Sequence, residues 1–195
     1  MTIGPISDQN NQTIAFLENE EFPEAIQSSS YALRYQRGLL LDEDTSANPN
    51  NSNTEPSSQR VDDCMVVCHE LDGFGSNSAH SFIYRHGIPI PSTMNDHKII
   101  AAILIFNTAL AYHLSAISQR GTATAEKLLV NAKQLYELII HCRQHISLDD
   151  NVMFQFAVIN NIAVITRDQG NVAESNRQFD FLMALVNGLR IQNAA

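Results

Sequence analysis

The chain has 195 residues, 44% of them hydrophobic, which suffices for one domain or slightly more and argues against wholesale disorder. With 12 lysines and arginines against 21 acids, the formal charge is −9, and a pI near 5.1 speaks against nucleic acid as a partner, because phosphate binding needs basic patches. Cys64, Cys68 and Cys142 do not make a secreted disulfide framework, and residues 1–11 lack the basic and apolar parts of a signal peptide. The apolar runs are broken by polar residues and read as too short for a membrane span. An intracellular, cytoplasmic protein with no membrane partner is the expectation.

Residues 11–36, NQTIAFLENEEFPEAIQSSSYALRYQ, read as helix, turn, helix. Pro23 suits the first turn of the second helix, where its missing N–H costs nothing. Residues 42–60 hold Asn, Ser, Thr and Pro and no apolar side chain larger than alanine, so a disordered insert is expected there. Residues 64–71 and 82–90 are rich in β-branched and aromatic side chains, and Gly73 and Gly75 lie between them. Together they predict a small β-hairpin over 61–91, inserted after the first helical pair and resting on the helices.

A helix is predicted from about 95 to 119 and its partner from about 122 to 146. The last pair is the clearest. Val158, Ile159, Ile162, Ala163 and Ile165 recur at helical spacing, as do Phe179, Leu182, Met183 and Val186. Between them Gly170 suits the left-handed residue that ends a helix. Asn171 then falls at an N-cap, with Glu174 in capping-box position.

The spacing in this last pair resembles the tetratricopeptide repeat, a helix-turn-helix unit of about 34 residues with the signature W-x2-L-G-x2-Y…A-x3-F…P. Ile162-Ala163 take the Leu-Gly place, Thr166 the Tyr place, Ser175 the alanine and Phe179 the aromatic. Ile159 stands for the Trp and Asn187 for the Pro. Thr13 and Phe16, followed by Phe22, Ala25 and Ala32, give a weaker first copy. Ala109, Tyr112, Ala132 and Tyr136 give a middle one, whose interval from Tyr112 to Ala132 exceeds the motif by roughly three helical turns. Shared between two antiparallel helices, the surplus lengthens both and keeps their faces in phase.

The resemblance implies an all-α fold: a short α-solenoid of three stacked hairpins, with units at about 6–40, 98–146 and 150–192. It also implies a non-catalytic scaffold that binds protein or peptide on the concave face of the first helices. Asn107 and Asn161, and Asn11 in the first unit, each precede the Leu-Gly place by one residue. In this family an Asn there often hydrogen-bonds a bound peptide backbone; the alternative is an amide satisfied within the helical bundle, because buried amides find partners. Phe106 and Asn160 flank these asparagines where a carboxylate clamp needs Lys or Arg.

Other chemistry is weakly signalled. Cys64 and Cys68, with His69, His80 or His86, form the best candidate metal set, and a small metal-binding or redox protein is the alternative. In a strand, however, Cys64 and Cys68 face one side and His69 the other. His141 and His145 are one helical turn apart but lack an acidic ligand. Gly73-Phe74-Gly75 lacks the Lys and helix of a phosphate loop. No cofactor and no catalytic set is expected, and oligomeric state is not legible.

Overall fold

The computed structural model describes residues 4–45, 83–142 and 151–192, and side chains over 4–36, 83–142 and 151–185. The described residues hold six helices: α1 Gly4–Glu18, α2 Phe22–Thr45, α3 His97–Ser118, α4 Ala123–His141, α5 Val152–Asp168 and α6 Val172–Gln192. The described residues are all-α, as the sequence predicts. Helix α2 runs to Thr45, past the boundary expected at 42, and the rest of the 42–60 insert lies outside the described residues.

Three tight turns pair the helices into hairpins, and local chemistry sets each one. At the α5–α6 turn Gly170 adopts φ +84°. Its N–H donates to the Arg167 carbonyl at 2.8 Å, and the Asn171 N–H to the Thr166 carbonyl at 3.0 Å. This pair of bonds closes a helix by a left-handed residue. Asn171 Oδ1 then accepts from the Glu174 N–H at 3.3 Å, as the sequence predicts for a cap. Glu174 does not complete the box; its carboxylate pairs with Arg177 at 2.8 Å.

The α1–α2 turn makes the same two bonds, Glu20 N–H to Leu17 and Glu21 N–H to Phe16, but with a glutamate at φ +60°. Helix α4 begins at Thr122, whose Oγ1 accepts from the Ala125 N–H at 3.0 Å. Helix α3 begins at Asp96, whose Oδ1 accepts from Lys98 and Ile99 at 2.8 and 3.2 Å.

Each helix packs on the next along the chain, and α1 also touches α3. Small residues lie fully buried on paired helices: Ala109 on α3, Ala132 on α4, Ala163 on α5 and Ser175 on α6. Ser175 Oγ even donates across to the Ala163 carbonyl at 2.8 Å. Between α1 and α2 small polar residues take this place, with Ser28 Oγ 2.9 Å from Thr13 Oγ1 and 3.1 Å from the Gln9 carbonyl.

Helix α3, 22 residues long, is the buried spine, longer than α1 or α5. By length and composition it could cross a membrane, contrary to the sequence reading, yet 83% of its most apolar window is covered by the fold. Phe106 at its middle packs on Tyr136 of α4 and Phe154 of α5, with ring centroids 5.6 and 5.5 Å away.

The inserted β-hairpin expected over 61–91 is not found among the described residues. Residues 83–90 run extended, but no strand pairs with them among the described residues, and the expected first arm at 64–71 lies outside those residues. Among the described residues, the hydrogen-bond partners of this segment are on helices.

Candidate functional site

Residues 83–90 are extended for local reasons. Ile88 and Ile90 each precede a proline, and the proline ring drives the preceding residue out of the helical region. Pro89 and Pro91 also lack an N–H, so a lone buried strand has fewer donors to satisfy. The segment then turns at Pro91, whose carbonyl accepts from the Met94 N–H at 2.9 Å, and enters α3.

Among the described residues, the segment finds its hydrogen bonds on the first helices of all three hairpins. Asn161 of α5 accepts from the Tyr84 N–H at 2.9 Å and donates back to the Tyr84 carbonyl at 3.2 Å. Asn107 of α3 does the same to Ile88, at 2.8 and 2.9 Å. Each side-chain amide thus acts as the facing residue of an antiparallel pair would, exchanging both bonds with one residue. From Tyr84 to Ile88 the extended chain covers about 13 Å. That even interval puts both clamped residues in one strand phase.

Helix α1 completes the site. Asn10 Nδ2 donates to the Ile88 carbonyl at 2.9 Å, and its Oδ1 accepts from Asn107 at 2.8 Å. Ser7 Oγ donates to the Ile90 carbonyl at 2.7 Å. Behind Asn161 stands Tyr136, whose hydroxyl accepts the second amide proton at 3.0 Å. Burial pushes this phenol upward, against the opposing effect of the Asn161 bond, so it stays protonated.

The groove is apolar and uncharged. Ile83, Tyr84, Gly87, Ile88 and Ile90 are buried in it, whereas Arg85, His86 and Pro89 face solvent. Tyr84 meets Phe106 edge-on at 5.9 Å. Gly87 lies so close to α1 that an added Cβ would come within 2.7 Å of Ile14 Cγ1. Among the described residues no Asp, Glu, Lys or Arg is buried. The arrangement therefore suits main-chain amides and apolar side chains, and offers no buried fixed charge to a carboxylate or phosphate.

Of the three asparagines singled out from sequence, Asn107 and Asn161 meet at this groove, both fully buried. Asn11 does not; it is exposed, and its neighbour Asn10 occupies the groove instead. One residue on a helix is a rotation of about 100°, enough to move a side chain off the face. Ser7 was also missed. The signal was present, because Ile6, Asn10, Thr13 and Leu17 follow the helical period and mark the buried stripe of α1.

Cys64, Cys68, His69, His80 and His145 lie outside the described residues, among which no cluster of three or more His, Cys, Asp or Glu could hold a metal. His141 is exposed, with Nδ1 2.7 Å from the Glu137 carbonyl. No family model matches this chain, and neither a curated protein nor a solved structure matches it.

Proposed function

We propose that this chain is a non-catalytic scaffold that binds protein or peptide in extended form, along a groove made by the first helices of three tetratricopeptide-like hairpins stacked as a short α-solenoid. One observation carries the reading: Asn107 and Asn161, at one motif position in different hairpins, each hold both backbone groups of a residue in an extended segment. Such bonds go to atoms every residue possesses, so the same amides can hold any polypeptide of that conformation. The groove carries the chain's own residues 83–90, and a partner takes their place.

The test uses Ile88→Ala, which shortens a fully buried side chain of the resident segment and leaves the groove intact. Peptides selected from an unbiased library on this variant should bind it. Adding Asn161→Ala should weaken them about tenfold, since each lost bond is worth on the order of 0.5–1.5 kcal/mol. Adding the exposed Asn11→Ala instead should change nothing. If the helical fold persists by circular dichroism and no peptide binds, or binding ignores Asn161, the reading fails.

A further inference from the structure

We infer that the partner of this groove carries the sequence pattern of the resident segment, with a large apolar residue, two unrestricted positions, a glycine, an aliphatic residue, one unrestricted position and a second aliphatic. The inference rests on the peptide-binding reading and specifies its ligand class. Residues 83–90 are then a built-in competitor of that partner.

Each position follows from its surroundings. The two asparagine clamps fix the strand phase, because a one-residue slip turns both clamped backbone pairs away. The close approach at Gly87 selects one register among the two-residue steps that remain. In that register the place of Tyr84 lies against the Phe106 ring and is buried. The places of Arg85 and His86 are exposed and ask for nothing. The place of Gly87 is closed by α1, with Ile14 Cγ1 at 2.7 Å and Leu17 Cδ1 at 3.4 Å from where a Cβ would stand. Ile14 is a branched side chain on a helix, so its contact atoms cannot swing aside as a flexible tip would. The places of Ile88 and Ile90 are almost fully buried, at 0% and 2% exposure. Pro89 between them faces solvent. Direction is set too. The segment runs from Asn161 on α5 to Ser7 on α1, and a competitor must run the same way.

Competition follows from covalent attachment. The resident segment joins α3 within a few residues, so it samples the groove at the high effective concentration of a short tether. A free peptide of the same pattern is therefore excluded until the resident is weakened.

The test measures fluorescence polarisation of a labelled peptide copying residues 83–91 against the full chain. Wild type should bind it at least tenfold more weakly than Ile88→Ala or Gly87→Ala, whose residents fit poorly. Adding Ile14→Ala to Gly87→Ala makes room for the resident's methyl group, so exclusion should return and binding fall back toward wild type. A peptide with alanine at the Gly87 place should bind the loosened chains at least tenfold more weakly than the parent. Should Gly87→Ala not fold, Ile88→Ala carries the comparison of the two peptides.

Trypsin cleavage after Arg85, followed by mass spectrometry, reports whether the segment has left the groove. If Arg85 is as resistant in the loosened chains as in wild type, the resident is not displaceable and the proposal is overturned. Equal binding of the glycine and alanine peptides overturns the sequence pattern and leaves the groove reading standing. If Arg85 is cut and no extended peptide of any sequence binds, the groove reading falls as well.

Discussion

His113 lies fully buried on α3, edge-on to the Tyr136 ring, and neither ring nitrogen has a hydrogen-bond partner among the described residues. Burial, reinforced by the positive charges of Arg85 and Arg120, lowers its pKa from 6.5 to about 3. The unfolded chain therefore binds a proton below pH 6.5 that the folded chain refuses until about pH 3. Stability rises with pH across that window and is lost as pH falls through it, by at most about 1.4 kcal/mol per unit. His113→Phe should flatten that part of the slope, because a neutral ring of similar size remains. Urea melts of both proteins at pH 7, 5 and 4 check this; parallel pH profiles would show that His113 is not the sensor. The buried amides are a different case, since Asn10, Asn107 and Asn161 carry no charge and their bonds hold at any of these pH values.

Among the elements, the two turns with matching bonds make a controlled pair. Gly170 and Glu20 occupy the same left-handed place, and the left-handed region costs an L-residue roughly 1–2 kcal/mol. Part of that is offset by the extra freedom glycine has in the unfolded chain. Glu20→Gly should raise stability by about 0.5–1 kcal/mol, and Gly170→Ala should lower it by a similar amount. Denaturant midpoints test both, and a fall in stability for Glu20→Gly would mean that the glutamate side chain contributes something its backbone conformation conceals. The pair also shows what a sequence can announce. Gly170 marks its turn in its letter, whereas nothing in a glutamate signals a positive φ. In the same way, the prolines and β-branched residues of 83–90 declared an extended backbone, but not what would satisfy it. The partners are side-chain amides, one of them 77 positions away, and local pattern carries no information over that distance.

For the whole molecule, the close approaches were the most legible feature. Ala109, Ala132, Ala163 and Ser175, which fall on repeat positions in the sequence, are all fully buried. Ala163→Leu should therefore overpack the α5–α6 contact, where Ser175 already bonds the Ala163 carbonyl, and cost about 1–3 kcal/mol. A thermal or denaturant melt unchanged by this substitution would argue against the assigned register. The set of side chains that holds residues 83–90 was half legible. Its two asparagines on α3 and α5 stood out by position, while the α1 contribution was placed one residue off. That the groove is filled from within was not legible at all.

The path of residues 83–90 has a consequence for how the molecule comes apart. Hairpins joined only to their neighbours unravel from the ends, each losing order nearly independently of the others. Here one strap is bonded at once to Ser7 and Asn10, to Asn107 and to Asn161, so the outermost hairpins share a tie that bypasses their neighbours. Fraying of the first hairpin releases the strap and deprives the third of its bonds. The described fold should accordingly lose its amide-exchange protection in one step, from α1 through α5, and shortening the chain at either end should weaken the opposite end as well.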